Sequence, residues 1–204
     1  MKIAIIANGT IKSNKFHKDI LKGTDAIIAA DGGADHCIRL GVSPDYVIGD
    51  LDSISKKSLK KFYKKIIHDK GQNSTDLQKA LIFAWRMAPD EVIVLGAIGE
   101  RIDHTMANIL CLGDFSFNIR VMDENNEIEI IENKKTIKGK KGDIISIIAL
   151  TDVENLNYSG LKYAVKRDFN VYAGWLGTSN EMLGEKAAIT LKKGKLILMR
   201  TKVK

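Results

Sequence analysis

The first 124 residues alternate between short apolar runs and longer stretches in which apolar positions recur at helical spacing. Within residues 56–67, for example, the apolar positions 59, 62, 63 and 66 keep the spacing of a buried helix face, and the lysines between them face solvent. Runs rich in Val, Ile and Ala predict strands at residues 2–7, 26–30, 46–48, 66–68, 91–95 and 118–122. This alternation predicts a parallel sheet covered by helices, which is an α/β fold.

The pattern changes near residue 125. Short strands are predicted beyond this point at residues 127–132, 136–137, 144–150, 171–172, 187–191 and 195–199. Turns at Gly142 and Gly194 separate some of them, and no amphipathic helix of useful length intervenes. We therefore predict an N-terminal α/β domain over residues 1–124 and a C-terminal antiparallel β-sandwich domain over residues 125–204.

Composition narrows the functional classes without identifying one. The formal net charge is +7, which suits nucleic acid or an anionic small molecule. The excess is mostly lysine on solvated faces without interleaved aromatics, so nucleic-acid binding is not expected. No apolar run approaches the roughly 20 residues of a membrane span, and residues 1–7 are too short for a signal peptide. Cys37 and Cys111 have apolar neighbours, which favours reduced thiols in a cytoplasmic protein.

Two carboxylates follow the third predicted strand, in the segment Gly49-Asp50-Leu51-Asp52-Ser53. If the backbone stays extended there, Asp50 and Asp52 point the same way, because side chains alternate along a strand. Two like charges side by side repel unless a cation lies between them, and Mg²⁺ prefers carboxylate oxygens. The competing interpretation is an acidic turn in which Ser53 caps the next helix.

Charged residues also follow other predicted strands. Asp31 directly follows the second strand, Asp76 directly precedes a helix predicted over residues 77–87, and Arg101 and Asp103 lie in the loop after residues 91–95. In open parallel sheets, ligands bind in the crevice beyond the carboxyl ends of the strands. Each residue alone has a simpler explanation, since Asp76 or Asp103 suits a helix cap and Arg101 a surface ion pair. Together they predict negative charge that requires a metal ion, beside a guanidinium that matches phosphate oxygens.

Glycines accompany these charges at the same predicted edge. Gly32, Gly33, Gly96 and Gly99 allow the backbone to approach a ligand closely and to expose N–H groups at helix starts. The sequence has neither a P-loop nor the glycine motif of dinucleotide-binding folds. The residues therefore predict Mg²⁺ and a polyphosphate on a metal-dependent phosphotransferase.

The chain resembles the thiamine pyrophosphokinase family in motifs that run in the family's order. These motifs are Asp31-Gly32-Gly33-Ala34, Gly49-Asp50-Leu51-Asp52-Ser53, Gln72-x-x-Thr75-Asp76, Gly96-x-x-Gly99-x-Arg101-x-Asp103-His104 with Asn108, Gly160-Leu161-Lys162-Tyr163 and Thr178-Ser179-Asn180. The second and fourth are quite specific in combination. The resemblance implies transfer of the pyrophosphoryl group of ATP to the hydroxyl of thiamine, which gives thiamine diphosphate and AMP.

The resemblance also implies roles for individual residues and a homodimer in which thiamine binds where the α/β domain of one subunit meets the β-domain of the other. The catalytic residues expected are Asp50, Asp52, Asp76 and Arg101, and the Mg²⁺ ligands expected are Asp31, Asp50, Asp52 and Asp76. The residues expected to bind ATP or its phosphates are Gly32, Gly33, Gly96, Gly99, Arg101, Asp103 and His104. Thiamine contacts are expected from Gln72, Thr75, Tyr163, Ser179 and Asn180.

Some positions leave alternatives open. Asn73 stands where an acid is common in the family, and this difference motivates a second hypothesis, a non-catalytic thiamine- or nucleotide-binding module on the same fold. The retained acids and Arg101 argue against it, because binding alone does not need so dense a carboxylate cluster. A related kinase that uses another small alcohol is a further hypothesis. For His104 a packed structural role is favoured over metal binding, because Mg²⁺ prefers oxygen ligands. Trp175 matches no family position and is expected in core or interface packing.

Overall fold

The computed structural model describes the backbone of residues 1–202 and, except for residues 166–168, their side chains. The chain forms two compact units, residues 1–124 and residues 125–204. Among the described residues, every helix is too short or too polar to cross a membrane.

The first unit alternates strands and helices, as the apolar pattern predicts. In chain order its main elements are β1 (Lys2–Ile6), α1 (Asn14–Leu21), β2 (Ala26–Ala30), α2 (Gly33–Leu40), β3 (Tyr46–Gly49), α3 (Lys56–Phe62), β4 (Ile66–His68), α4 (Asp76–Arg86), β5 (Glu91–Leu95), α5 (Ile102–Leu110) and β6 (Asn118–Met122). Short 3₁₀ turns at Tyr63–Lys65 and Cys111–Asp114 follow α3 and α5.

The six strands of this unit form a parallel sheet in the order β6-β5-β1-β2-β3-β4. Consecutive residues of β1 are fully buried, from Ile3 to Ile6, so both faces of the sheet are covered. Ala4 and Ile6 pack with residues of α1 and α2, including Leu21 and Leu40. Helix α4 packs against β1, β2 and β3. This architecture brings the carboxyl ends of the strands to one edge.

The second unit, as far as residue 202, consists of strands without a helix. They are β7 (Asn126–Ile131), β8 (Lys134–Lys138), β9 (Ile144–Ala149), β10 (Val153–Ser159), β11 (Val165–Val171), β12 (Leu176–Glu181), β13 (Lys186–Thr190) and β14 (Leu196–Thr201). Strands β12-β9-β14-β7 pair in one sheet and β11-β10-β13-β8 in another, with antiparallel neighbours in both.

Side chains from both sheets form one core in this unit. Ile145 and Ile147 of β9 are fully buried with Leu156 of β10 and Ile189 of β13, and Trp175 packs against the same core as expected. Two antiparallel sheets that bury their inner faces together form a sandwich. The structure thus confirms the predicted class, a parallel α/β domain followed by an antiparallel β-sandwich.

Two strands of the sandwich, β10 and β12, are absent from the sequence prediction. The pairing of β10 with β11 shifts register on both sides of Leu156, and Asn155 has a left-handed φ of 54°. The pairing of β12 with β9 shifts between Gly177 and Asn180, where Ser179 has a φ of 58°. Bulges of this kind interrupt the two-residue alternation on which strand prediction depends.

Candidate active site

A cleft of about 630 Å³ lies at the carboxyl ends of the strands of the first unit. The chain runs from β1 outward to β4, then returns to β5 on the other side of β1, so the strand order reverses there. Such a reversal opens a crevice between the loops, where ligands of parallel α/β proteins bind. Side chains that line the cleft include Asp31, Asp50, Asp52, Asp76, Arg101 and His104.

Three of the predicted metal ligands come together in this cleft. Asp31, Asp50 and Asp76 each offer a carboxylate oxygen, and these three oxygens lie within 4.8 Å of one another. The residues come from separate parts of the chain, after β2, after β3 and at the start of α4. Only the folded sheet brings them together, as expected for strand ends at a common edge.

Asp31 is the deepest of the three carboxylates, with 1% of its surface exposed. Its Oδ2 accepts a hydrogen bond of 2.9 Å from the Ser53 N–H, while its Oδ1 has no hydrogen-bond partner. Burial and the charges of Asp76 and Asp52 raise the pKa of Asp31 above its usual value, although the Ser53 N–H opposes them. An unpartnered buried oxygen among other carboxylate oxygens fits a hard cation such as Mg²⁺.

The segment after β3 does not have the extended conformation on which the alignment of Asp50 and Asp52 depended. Leu51 has a φ of 69°, so the backbone turns between the two acids, and that premise is wrong. The Asp52 N–H donates to Asp50 Oδ1 at 3.3 Å. Asp52 itself is exposed at the rim of the cleft and does not belong to the group of three carboxylate oxygens. The competing interpretation is also wrong in one detail, because Ser55 rather than Ser53 caps α3.

Helix α4 begins with a capping box formed by Thr75 and Gln78. The Thr75 hydroxyl accepts a 3.2 Å hydrogen bond from the Gln78 N–H, and the Gln78 side chain accepts one of 3.1 Å from the Thr75 N–H. Asp76 is therefore the first residue of the helix and not its N-cap. The Thr75 hydroxyl, predicted to contact thiamine, is already used by the helix. Gln72, with the same predicted role, lies beside the acids and donates to Asp50 Oδ2 at 3.4 Å.

Lys79 joins the carboxylates and was missed by the sequence analysis. Its side chain is only 2% exposed, and its Nζ lies 3.1 Å from Asp76 Oδ1 and 3.8 Å from Asp50 Oδ2. Burial alone would lower the pKa of Lys79, but the hydrogen bond to Asp76 and the nearby carboxylates outweigh it and raise that pKa. The signal in the sequence was weak, since a lysine three residues after an aspartate in a helix usually forms a surface pair.

Arg101 and Asp103 form a two-pronged ion pair on the surface. Arg101 Nε lies 2.9 Å from Asp103 Oδ1, and a terminal nitrogen of the guanidinium lies 2.6 Å from Oδ2. Both side chains are largely exposed, and the guanidinium holds the pKa of Asp103 well below its usual range. This arrangement is the surface pair weighed in the sequence analysis, while Arg101 still lines the cleft. His104 is exposed, so the expected packed position is wrong.

The predicted glycines serve close packing between loops. A Cβ on Gly33 would lie 1.9 Å from the Ile6 carbonyl oxygen, and one on Gly96 would lie 2.6 Å from that of Ala7. A Cβ on Gly32 would lie 2.4 Å from the Asn8 side chain, and one on Gly99 would lie 3.1 Å from the Gly9 Cα. Packing within the protein is enough to explain why glycine is needed at these positions. The predicted contacts of these glycines with ATP therefore remain predictions.

Two loops beside the cleft are hydrogen-bonded to each other. The Gly9 N–H donates to the Gly96 carbonyl and the Thr10 N–H to the Ile98 carbonyl, each at 2.7 Å. The Asn108 side chain adds a 2.9 Å bond to the Ala97 carbonyl from α5. The loops after β1 and β5 therefore form a single wall of the cleft.

The predicted thiamine residues of the second unit form a group of their own. The Asn180 side chain, 4% exposed, accepts from the Tyr163 N–H at 3.0 Å and donates to the Tyr163 carbonyl at 2.9 Å. Ser179 lies at the bulge of β12, and its N–H donates to the Ser146 hydroxyl. Tyr163 itself is 62% exposed. Asn180 thus holds the backbone of Tyr163, whose exposed ring carries the Lys162 ammonium 5.8 Å from its centroid.

Two family models match the chain, one for each unit. The model described as the catalytic domain of thiamin pyrophosphokinase matches residues 17–122. The model described as the vitamin B1 binding domain of thiamin pyrophosphokinase matches residues 125–196. Together the two models span most of the chain, in the order that the motifs imply.

Individual relatives agree with these models. Thiamine pyrophosphokinase of Bacillus subtilis (strain 168) is 27% identical over 184 residues, which covers 85% of this chain and 86% of the relative. Thiamine pyrophosphokinase 2 of Oryza sativa subsp. japonica is 30% identical over 199 residues, with 79% and 73% covered. A crystal structure of thiamine pyrophosphokinase from Bacillus subtilis matches with a TM-score of 0.85 at 26% identity, covering 99% of each chain.

Proposed function

Because the chain belongs to the thiamine pyrophosphokinase family, we propose that the cleft beside Asp31, Asp50 and Asp76 is its active site. The chain is an enzyme of this family, an ATP-dependent pyrophosphotransferase that converts thiamine to thiamine diphosphate with release of AMP. The hypothesis of a non-catalytic binding module on the same fold is not favoured. The observation that carries the assignment of the site is the convergence of three carboxylates from separate elements around an unpartnered Asp31 oxygen.

Asp31, Asp50 and Asp76 are proposed to hold Mg²⁺, with Asp52 at the rim as a proposed further ligand. Their oxygens are hard anionic donors that suit this ion. When bound, Mg²⁺ neutralises charge on the phosphate oxygens and helps to hold the triphosphate in line for displacement. The protein fixes the position of the Asp31 carboxylate. The Ser53 N–H donates to its Oδ2, and the Asp31 Cβ packs closely against Gly49.

Arg101 is proposed to bind the phosphates of ATP together with the backbone of the Gly32-Gly33 and Gly96–Gly99 segments. Guanidinium matches phosphate oxygens in a two-pronged manner. Asp103 pairs with that fork in the structure, so ATP bound by Arg101 would take the place of a carboxylate. Because both residues are exposed, the exchange costs little. His104 lines the same cleft and is proposed to contact the nucleotide.

The nucleophile is the hydroxyl oxygen of thiamine, which attacks the β-phosphorus of ATP. The new bond joins that oxygen to the β-phosphorus, the bond to the α–β bridging oxygen breaks, and AMP leaves with the bridging oxygen. The hydroxyl proton passes to a carboxylate of the cleft, acting as general base. Positioning of the two substrates supplies much of the rate enhancement in such transfers.

Thiamine is proposed to bind against Tyr163 in a homodimer, where the α/β domain of one subunit meets the β-domain of the other. Its cationic aromatic ring suits an aromatic wall, and the Tyr163 ring is exposed on a loop held by Asn180. Gln72, Thr75 and Ser179 are proposed further contacts. Free, buried Cys37 and Cys111 support a cytoplasmic location.

The test is a reaction with purified protein, ATP, Mg²⁺ and thiamine. We expect thiamine diphosphate and AMP in equal amounts, and loss of both when EDTA removes the metal. Formation of ADP would indicate transfer of a single phosphoryl group and contradict the proposal. Turnover with another small alcohol but none with thiamine would favour a related kinase.

A further inference from the structure

Lys79 places a positive charge inside the carboxylate cluster before any metal arrives. Lys79 lies one turn after Asp76 on the same side of α4, and its side chain is almost completely buried. The ammonium lies 3.1 Å from Asp76 Oδ1 and 3.8 Å from Asp50 Oδ2. A buried ammonium is costly unless it is paired, and here it is paired with two of the three clustered acids.

Asp31 differs from the other two acids in this respect. Its Oδ1 is buried without a hydrogen-bond partner, whereas Lys79 forms ion pairs with Asp50 and Asp76. The ammonium therefore compensates Asp50 and Asp76 directly, and Asp31 keeps an oxygen without a hydrogen-bond donor. A cation that enters the cluster meets the unpartnered Oδ1 of Asp31 and the carboxylates of Asp50 and Asp76, which Lys79 already orients.

The charges of the cluster balance for one divalent cation. Three carboxylates and one ammonium carry a net charge of −2, which a single divalent ion neutralises, while Asp52 lies outside this group and is exposed. Without the ammonium the same three carboxylates would keep one negative charge after the first ion bound. That residual charge would strengthen the binding of the first ion and favour a second.

We propose that Lys79 is a positioning residue that fixes Asp50 and Asp76 and limits the protein's own cluster to one divalent cation in the absence of nucleotide. This inference rests on the proposed function, because it assigns the cluster to a metal. Lys79 thereby sets the number of bound metal ions and their affinity. It takes no direct part in the transfer reaction, which the acids and the substrates carry out.

The experiment is a titration of nucleotide-free full-length protein with Mn²⁺, followed by electron paramagnetic resonance and calorimetry. The wild type is expected to bind one ion. Lys79→Met is expected to bind the first ion about tenfold or more tightly, because a repelling charge within about 4 Å is removed, and to take up a second ion. Lys79→Arg keeps the charge and is expected to retain a stoichiometry of one.

Arg86→Gln is the matched control, since it removes one exposed positive charge from the other end of α4. It is expected to bind Mn²⁺ as the wild type does. Thermal unfolding with and without Mn²⁺ gives a second readout, in which the stabilisation by metal is larger for Lys79→Met than for the wild type. If Lys79→Met does not fold, Lys79→Gln takes its place in both measurements.

The results separate the two proposals. Affinity and stoichiometry unchanged by Lys79→Met, with one ion bound to the wild type, would overturn the role of Lys79 alone. Weaker binding in Lys79→Met would also overturn it. A wild type that binds no Mn²⁺ would overturn both this inference and the assignment of the metal site.

Discussion

Asp31 combines near-complete burial with a carboxylate oxygen that has no hydrogen-bond partner. The Ser53 N–H donates a hydrogen bond to the other oxygen of Asp31. The Asp31 Cβ occupies space that a side chain at Gly49 would fill. An unpaired buried charge destabilises a folded protein. We therefore expect Asp31, as a proposed metal ligand, to lower the stability of the protein when no metal is bound.

Replacement of Asp31 by Asn tests this interpretation. We expect the Asp31→Asn variant to be as stable as the wild type without metal, or more stable, because a buried charge is removed. Activity is expected to fall by at least about 100-fold, the upper end of the loss seen when supporting groups of metal sites are removed. Addition of Mg²⁺ should no longer raise its melting temperature.

The control for Asp31→Asn is Asp19→Asn, which removes an exposed acid paired with Lys22 on α1. This variant should match the wild type in melting temperature, metal response and activity. If Asp31→Asn kept its stabilisation by Mg²⁺, Asp31 would not be a metal ligand.

For individual residues, the sequence was enough to predict which acids line the cleft but not how all of their side chains are arranged. Asp31 and Asp50 were found because each directly follows an apolar strand, and strand ends share an edge. The turn at Leu51 was not predictable, since a left-handed leucine is uncommon and depends on contacts distant in sequence. The environment of Lys79 likewise depends on a residue distant in sequence, since its Nζ lies 3.8 Å from Asp50 Oδ2.

Helices α2 and α3 are joined by a side chain of the former. Asp35, in the first turn of α2, accepts hydrogen bonds from the Ser55 N–H at 3.1 Å and from the hydroxyls of Ser55 and Ser58. Ser55 in turn caps α3 by accepting from the Ser58 N–H. This link fixes the far end of the loop that carries Asp50 and Asp52.

We expect Asp35→Asn to destabilise the protein by about 1–2 kcal/mol at neutral pH, because hydrogen bonds to a charged acceptor are lost or weakened. Burial by itself would raise the pKa of Asp35, but the Ser55 and Ser58 hydroxyls outweigh it and lower that pKa. The ionised carboxylate therefore stabilises the fold above the usual pKa of Asp, about 3.9. That contribution is lost as the pH falls through the lowered value.

Urea unfolding at a series of pH values measures this effect. The difference in unfolding free energy between wild type and Asp35→Asn should be greatest near neutral pH and shrink as the pH falls below about 4. A double-mutant cycle with Ser58→Ala assigns the coupling to the hydroxyl contact. A difference that did not change with pH would show that packing, rather than the carboxylate charge, stabilises the link.

Element prediction succeeded where one face or both faces of an element were uniformly apolar. Strands β1 and β5 are buried on both faces, so their runs of Ile and Val were unambiguous. Strands β10 and β12 were missed because bulges at Asn155 and Ser179 break the alternation of buried and exposed positions. Those bulges form through pairing with partner strands, and local sequence carries little information about them.

At the scale of the whole molecule, the proposed homodimer has a direct functional consequence. If each active site takes its acids from one subunit and Tyr163 from its partner, Asp50→Asn and Tyr163→Ala damage opposite halves of a site. Each variant alone should have little activity. A mixed dimer would contain one site with both defects and one intact site.

After unfolding and joint refolding of equal amounts of the two variants, we expect about a quarter of wild-type activity per subunit, as random pairing in a two-fold dimer predicts. Native mass spectrometry measures the fraction of mixed dimers. Mixed dimers without recovered activity would place both residues in the same subunit's site. Purely monomeric protein would contradict the proposed assembly.

The hydrogen-bonded wall formed by the loops after β1 and β5 limits where this chain tolerates redesign. Gly9 and Gly96 touch through their backbones, and a single added methyl group at either position meets a carbonyl oxygen. An insertion in either loop would have to preserve the hydrogen bonds between them. Peptide tags and reporter domains thus belong at open turns such as Gly142 or Gly184, where a methyl group meets nothing within 4 Å.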